Sequence, residues 1–125
     1  VADQVVKLML KKGIQVLGSD VLVLGFTFKE NCPDVRNTRV INIIKSLQDY
    51  NINVSVHDPW ASPSISMLEY GVDVNNNLPN RRFDSIILAV AHEEFKSLDI
   101  SSLKNNICVI YDVKGVLCTQ IDGKL

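Results

Sequence analysis

Residues 20–38 read DVLVLGFTFKENCPDVRNT, and this stretch decides the fold class. Its first part, Asp20 to Gly25, is a continuous apolar run that ends in glycine, which is typical of a β-strand covered on both faces. The rest leads from that strand toward a helix, and α/β proteins place their ligands at such junctions. After Gly25 the segment carries aromatic and charged side chains instead of further glycines. The stretch therefore predicts an α/β domain that recognises a ligand through side chains.

Length and composition predict one globular domain. The chain has 125 residues, of which 46% are hydrophobic, and this is enough for a packed core. A net charge of −1 gives no global field that would attract nucleic acid or anionic membranes, and no apolar run is long enough to span a bilayer. The three cysteines lack metal or redox spacing, which suits reduced thiols. We therefore expect a cytoplasmic protein that has no nucleic-acid or membrane partner.

Strand and helix patterns alternate along the rest of the chain. Strands are predicted at residues 52–57, 72–74, 84–90 and 107–113. Helices are predicted near residues 40–50, capped by Asn37 or Thr38, near residues 62–70, capped by Ser62 or Ser64, and as a single turn at 93–96. This alternation predicts right-handed βαβ units. The expected fold is a Rossmann-like three-layer α/β domain with a mostly parallel sheet and helices on both faces.

The opening segment, residues 1–13, reads as the last turns of a helix. Val1, Val5 and Met9 share one face, and Gly13 suits the end of the helix. Because no clear N-cap residue precedes it, we expect a longer helix and further domains upstream.

Four polar segments follow the predicted strands, at residues 25–36, 57–59, 91–93 and 112–115. Ligands of open parallel sheets lie beyond the carboxyl ends of the strands. We therefore expect these four segments to converge on one edge of the sheet.

A dinucleotide site is the first hypothesis for that edge. Its G-x-G-x-x-G fingerprint lets the backbone approach a pyrophosphate, but the three glycine positions here hold Gly25, Thr27 and Glu30. Thr27 adds a Cβ in the approach, and Glu30 adds a negative charge. The sequence therefore argues against NAD binding by this domain. It favours Asp58-Pro59 as a strand-ending turn rather than a ribose-binding acid.

Cationic side chains mark the same junction. Lys29 and Arg36 lie between a strand end and a helix start, where the helix dipole favours anions, and Asp34 lies between them. Two interpretations stay open, which are an anion-binding loop and a loop held by an Asp34–Arg36 salt bridge without any ligand.

The cysteines and histidines give weaker signals. Cys32 lies in the same loop, but no histidine is near it in sequence, although His57 or His92 could approach it in space, so catalysis by Cys32 is disfavoured. Cys108 is expected in the core. His92-Glu93-Glu94 lacks the second histidine of a zinc helix, so no metal is predicted, and His92 is expected to close the loop after its strand.

The block at residues 25–38 resembles the start of the C-terminal domain of the UDP-glucose/GDP-mannose dehydrogenase family. Three further matches follow in the expected order, which are Val56-His57-Asp58-Pro59, Ala89-Val90-Ala91-His92 and Asp112-Val113-Lys114-Gly115. The resemblance covers essentially the whole chain. The TFKENCPDVR form of the block and the Ala-His pair look most like the branch that acts on UDP-N-acetylhexosamines.

The resemblance implies a parent enzyme that uses NAD to oxidise the C6 alcohol of a UDP-sugar to a uronate for surface polysaccharide. NAD would bind to an N-terminal domain, and the catalytic cysteine would lie in a central domain, both outside this chain. Residues 1–13 would end a central linker helix through which the full-length protein forms a homodimer. Residues 14–125 would be the UDP-sugar-binding domain, which is expected to be inactive alone.

The resemblance also implies roles for six residues. Three would contact the substrate, namely Phe28, Lys29 and Lys114, with Lys29 bonding the sugar or its oxidised C6. Three would brace the loop, namely Asn31, Asp34 and Arg36, although Asn31 could do either.

Three alternative functions stay open. One is a sister enzyme with the same architecture that oxidises UDP-glucose, UDP-N-acetylmannosamine or GDP-mannose. Another is a stand-alone nucleotide-binding module that has no catalytic activity. The third is a small Rossmann NAD-binding regulator, which titration with NAD would support or exclude.

Overall fold

The computed structural model describes all 125 residues. They form a parallel sheet with helical elements packed on both of its faces. The strands are β1 (Asp20–Leu24), β2 (Asn53–His57), β3 (Val74–Asn75), β4 (Phe83–Leu88), β5 (Lys104–Asp112) and β6 (Gly123–Lys124). The helices are α1 (Ala2–Lys11), α2 (Val40–Asp49), α3 (Pro63–Tyr70) and the single turn α4 (Glu93–Lys96), with a 3₁₀ turn at Ile100–Leu103. The spatial order is β3-β2-β1-β4-β5-β6, and every pairing is parallel. This is the strand order of the Rossmann fold, so the predicted α/β class is confirmed.

The apolar strands form two cores, one on each face of the sheet. Val21 and Val23 of β1 lie in a core that includes buried residues of α1 and α2. Leu22 and Leu24 lie in a second core, which includes residues of α4 and the 3₁₀ turn. Successive side chains of a strand point to opposite faces, so a strand that is apolar at every position needs cover on both sides.

The two long loop-to-helix junctions differ in how well the sequence predicted them. In α3, Ser62 caps the helix as expected, because its Oγ accepts the Ile65 N–H at 3.2 Å, and Gly71 ends the helix with a φ of 68°. The predicted cap of α2 is confirmed for Thr38 and not for Asn37: Thr38 Oγ1 accepts the N–H of Val40, the first residue of the helix, at 3.3 Å, although Arg39 lies between them in the N-cap position. Asn37 has a φ of 61°, which keeps this part of the chain out of the helix.

Strand boundaries differ from the prediction where neighbouring strands decide them. The strand β4 ends before Val90 because the N–H groups of Ala89 and Val90 both turn to the carbonyl of Leu24. The strand β5 begins earlier than predicted because Lys104 pairs with Phe83 across a register irregularity. The short strand β6 was not predicted; it pairs only with the last residues of β5.

The helix α1 belongs to the first core. Its residues Ala2, Val5, Val6 and Met9 are buried there, and the helix packs against α2, β5 and β6. No helix in the structure is both long and apolar enough to cross a membrane. The division of the chain at residue 13 stays a prediction.

Candidate functional site

A buried carboxylate joins two of the predicted segments at the carboxyl edge of the sheet. Asp58 follows β2 and is fully buried. Its Oδ2 accepts the N–H groups of Phe26 and Thr27 at 2.7 and 3.0 Å, and its Oδ1 accepts those of Trp60 and Ala61 at 2.7 and 3.1 Å. Asp58 therefore ties the loop after β1 to the loop after β2.

His92 brings the segment after β4 into the same network. Its Nε2 lies 2.9 Å from Asp58 Oδ2 and 3.0 Å from Thr27 Oγ1, whose hydroxyl donates to the Lys29 carbonyl at 2.9 Å. Its Nδ1 accepts the N–H of Asn31 at 2.9 Å. An accepting Nδ1 must keep its lone pair, so the ring carries a proton on Nε2 and donates it toward Asp58.

Opposing effects set the pKa of Asp58. Burial alone would raise this pKa, but the hydrogen bonds from His92 and from the N–H groups of Phe26 and Trp60 together outweigh it. The pKa of Asp58 therefore lies below its ordinary value, and the carboxylate stays charged at neutral pH.

The outer half of the loop is held by an ion pair. Arg36 places Nε and Nη2 at 3.0 and 3.1 Å from the two carboxylate oxygens of Asp34, and this bidentate contact holds the pKa of Asp34 below its usual value. The Phe28 N–H donates to the Asp34 carbonyl at 2.7 Å, and the Tyr70 hydroxyl donates to the Val35 carbonyl at 2.7 Å. Of the two cations in the predicted anion loop, Arg36 is thus engaged with Asp34.

Asn31 lies in contact with the segment after β4. Its Oδ1 accepts the N–H of Glu93 at 2.9 Å, in addition to the bond from its own N–H to His92. The contacts of Asn31, Asp34 and Arg36 support the bracing role that the resemblance implies for them.

The three residues implied as substrate contacts line one cleft of about 450 Å³. Phe28 and Lys29 come from the loop after β1, and Lys114 comes from the loop after β5. The acidic residue Glu30 also lines the cleft, as do apolar residues that include Val40, Ile43, Ala89, Val90 and Val113. A larger and more open depression of about 580 Å³ elsewhere on the chain includes Gly18 and Asp84 and has no cationic residue in its lining.

Arg39 lines the same cleft and was missed by sequence reasoning. It is exposed, as are Lys29 and Lys114, and none of the three forms a salt bridge. A cation is unfavourable beside a helix N-terminus, and Arg39 is the N-cap residue of α2. That unfavourable placement is the signal that could have identified it.

A second buried carboxylate shapes the loop that carries Lys114. Asp112 ends β5, and its Oδ1 accepts the N–H groups of Lys114 and Gly115 at 3.0 and 2.8 Å. Its Oδ2 accepts the N–H of Leu117 at 2.8 Å. The Asp112-Val113-Lys114-Gly115 segment is therefore a turn built on its own aspartate, and the sequence did not reveal this role.

The residues of this chain do not fit NAD. A Cβ on Gly25 would lie 2.5 Å from Val90 Cβ, so this glycine serves the close approach of the two segments after β1 and β4. The N–H groups of Phe26 and Thr27, which would face a pyrophosphate, already bond to Asp58. Because Asp58 is fully buried, it cannot hold a ribose hydroxyl.

The thiols show no catalytic arrangement. Both ring nitrogens of His92 are engaged, and His57 Nδ1 lies 2.9 Å from the Asn75 carbonyl. Neither histidine is hydrogen-bonded to Cys32. Cys108 is buried in the core as expected, and burial raises its pKa to about 11. No group of three or more histidine, cysteine or acidic side chains is placed to hold a metal ion.

The sheet has the Rossmann strand order but no phosphate-binding glycine loop, and a cleft lined by cationic side chains lies at its carboxyl edge. These features are typical of an α/β domain that recognises its ligand through side chains. Residues 22–119 match the UDP binding domain of the UDP-glucose/GDP-mannose dehydrogenase family, and the chain belongs to that family.

Relatives and solved structures agree with this assignment. The chain is 46% identical to UDP-N-acetyl-D-glucosamine 6-dehydrogenase of Salmonella typhi over its whole length, and 48% identical to the Pseudomonas aeruginosa enzyme of that name over 94% of its length. It spans only 30% and 28% of those two proteins. It also superposes with a TM-score of 0.79 and 28% identity on NDP-N-acetyl-D-galactosaminuronic acid dehydrogenase of Methanosarcina mazei Go1, covering 92% of this chain and 24% of that one.

Proposed function

We propose that this chain is the substrate-binding C-terminal domain of an NAD-dependent UDP-N-acetylhexosamine 6-dehydrogenase. The observation that carries the proposal is the cleft in which Lys29, Arg39 and Lys114 stand free of salt bridges beside the exposed ring of Phe28. Two relatives are UDP-N-acetyl-D-glucosamine 6-dehydrogenases, which supports an N-acetylhexosamine as the sugar.

The chemistry of the cleft suits a nucleoside diphosphate sugar. The diphosphate carries two negative charges, which lysine meets as a point charge and arginine as a planar, bidentate fork. Phe28 is 55% exposed and offers an aromatic surface to a base or a sugar ring. Lys29 would also bond the sugar or its oxidised C6. Apolar residues share the lining with these groups, and a bound ligand that displaces water from the cleft would strengthen each ionic contact.

Other parts of the enzyme would supply the remaining chemistry. NAD would accept the hydrides when it is bound, and its site would lie in an N-terminal domain, which agrees with the misfit of the residues after β1. The catalytic cysteine would likewise lie outside this chain, in a homodimeric cytoplasmic enzyme. Closure of this domain over the substrate would exclude water from the reacting centre.

Calorimetric titration of the chain tests the binding assignment. UDP-N-acetylglucosamine and UDP-N-acetylgalactosamine should bind, UDP-glucose and GDP-mannose should bind more weakly, and NAD should not bind. Binding of NAD without binding of any UDP-sugar would contradict the proposal. A tighter complex with UDP-glucose or GDP-mannose would instead favour a sister enzyme.

The substitution Lys29→Ala in the full-length enzyme should lower turnover by about 10- to 100-fold, because a hydrogen bond to a charged group contributes about 1.5–3 kcal/mol. The melting temperature should hardly change, since Lys29 is exposed and has no salt-bridge partner. Steady-state kinetics and thermal denaturation measure the two effects. The control is Lys45→Ala, which removes an exposed lysine of α2 that does not line the cleft. Equal kinetics in the two variants would contradict a substrate contact by Lys29.

A further inference from the structure

We propose that His92 is a positioning residue that orders the substrate loop, defined as residues 27–32, before the ligand arrives. The inference rests on the proposed function, since it assigns the loop to substrate binding. The ring of His92 is buried and does not line the cleft, so it can affect ligand binding only through the loop.

The ring itself is held rigidly. His92 is fully buried, with Trp60 stacked on it at a centroid distance of 6.2 Å and Phe95 at 5.5 Å. Its Nε2 is anchored on Asp58, whose other oxygen is occupied by backbone donors. The Nδ1 edge is therefore fixed in position and faces the loop.

Both ends of the substrate loop bond to this one ring. Thr27 Oγ1 lies 3.0 Å from Nε2 and is a second acceptor of the one Nε2 proton, which it shares with Asp58, because its own hydroxyl proton goes to the Lys29 carbonyl. The N–H of Asn31 donates to Nδ1 at 2.9 Å. Phe28 and Lys29 lie between these two points and line the cleft. The ring thus fixes the start and the end of the short segment that presents both side chains.

The loop needs such a support. Asn31 has a φ of 54°, a left-handed conformation that costs free energy for a residue with a side chain. It is held by the N–H bond to His92 and by the bond that its side chain accepts from Glu93. A loop ordered in advance loses less conformational entropy on binding, so affinity should depend on these contacts.

Imidazole suits this position because it donates from one edge and accepts at the other in a rigid plane. Two substitutions separate these functions. In His92→Gln the terminal amide can occupy the place of Nε2 and keep a donor to Asp58, while the acceptor for Asn31 is lost. In His92→Asn the amide can occupy the place of Nδ1 and keep that acceptor, while Asp58 loses its donor.

The first measurement uses the unliganded protein and needs no variant. Nitrogen-15 NMR of the ring should show the tautomer protonated on Nε2, and the amide of Asn31 should be protected from hydrogen exchange. A ring protonated on Nδ1, or an Asn31 amide that exchanges as fast as an exposed one, would overturn the proposal.

The variants then test positioning against a general structural role, with UDP as the probe. His92→Gln should melt close to the wild type, lose protection at the Asn31 amide and bind UDP about tenfold more weakly, as expected from the cost of ordering a few side chains on binding. His92→Asn should lose stability but keep that protection. The control His57→Gln changes another buried histidine, beside Phe95 but outside the loop, and should leave both protection and affinity unchanged.

Full protection and full UDP affinity in His92→Gln would overturn the inference. So would equal losses of affinity in His92→Gln and His57→Gln, because that result indicates a general packing effect. If the wild type itself does not bind UDP, the proposed function fails, and hydrogen exchange at Asn31 still decides whether His92 orders the loop.

Discussion

Asp58 shows how one side chain can fix the geometry of a site without contacting a ligand. Five donors surround its two oxygens, and they come from the loops after β1, β2 and β4. A buried charge is tolerated only when it is fully hydrogen-bonded, and here it is. The same contacts consume the N–H groups that a dinucleotide fold would turn toward phosphate. An anion at the first loop of this domain would therefore have to be bound by side chains.

The substitution Asp58→Asn should destabilise the protein by about 2–4 kcal/mol, because an amide nitrogen would face backbone donors and leave them unpaired. Urea denaturation at pH 7 measures this loss. The control Asp73→Asn changes an exposed acid and should stay within about 0.5 kcal/mol of the wild type.

The difference in unfolding free energy between the wild type and Asp58→Asn should depend on pH in a defined direction. The pKa of Asp58 is lower in the folded state than in the unfolded state. The contribution of its charge to the free energy of unfolding is therefore present above the unfolded pKa of about 3.9 and is lost as the pH falls through the folded pKa. The gap in stability between wild type and Asp58→Asn should therefore narrow in acid below about pH 4. A gap that stays constant down to pH 2 would show that the charge of Asp58 is not what the site needs.

Among the elements, those with a self-contained pattern could be predicted from the sequence. The strand β1 is apolar at four successive positions, and α3 carries its own cap and its own terminating glycine. The strand β6 could not be predicted, because its two residues become a strand only by pairing with Tyr111 and Asp112. The limits of β4 and β5 depend in the same way on neighbouring strands.

The candidate site also has features that the sequence could predict and features that it could not. Convergence of the four strand-end segments follows from parallel topology, and the structure brings them together at one edge. The contact between Asp58 and His92 joins residues that are 34 positions apart, so no local pattern could reveal it. Local charge could have revealed Arg39, since a cation at the start of α2 opposes the helix dipole.

At the N-terminus of α2, binding and stability should therefore change in opposite directions. The substitution Arg39→Gln removes a cation from the positive end of the dipole and should stabilise the domain by about 0.3–1 kcal/mol. The same change removes a charged fork from the cleft and should weaken UDP-sugar binding by about tenfold or more. Urea denaturation and calorimetry measure the two effects. Loss of both stability and affinity would instead mean that Arg39 supports the fold.

At the scale of the whole molecule, the three thiols differ in burial, so their labelling rates measure how easily different parts of the domain open. Cys118 is exposed, Cys32 is half-buried, and Cys108 is buried in strand β5. At pH 8 a thiol reagent should label Cys118 fast and Cys32 more slowly. It should label Cys108 only at a rate close to that of global unfolding, because this thiol is buried in the second core and reaching it requires that core to open. Early labelling of Cys108, detected by mass spectrometry of the peptides, would show that β5 opens separately.

Cys108 should also limit stability in alkali. Its folded pKa of about 11 lies above the ordinary thiol value, so the unfolded chain ionises first as the pH rises. Its contribution to the free energy of unfolding is complete below the ordinary thiol pKa of 9.0 and is lost as the pH rises through the folded pKa, by up to roughly 2–3 kcal/mol. In Cys108→Ala the fall in unfolding free energy between about pH 9 and 11 should become shallower by that amount. If both proteins lose stability in parallel over this range, the alkaline transition belongs to other groups, and the burial of Cys108 does not control it.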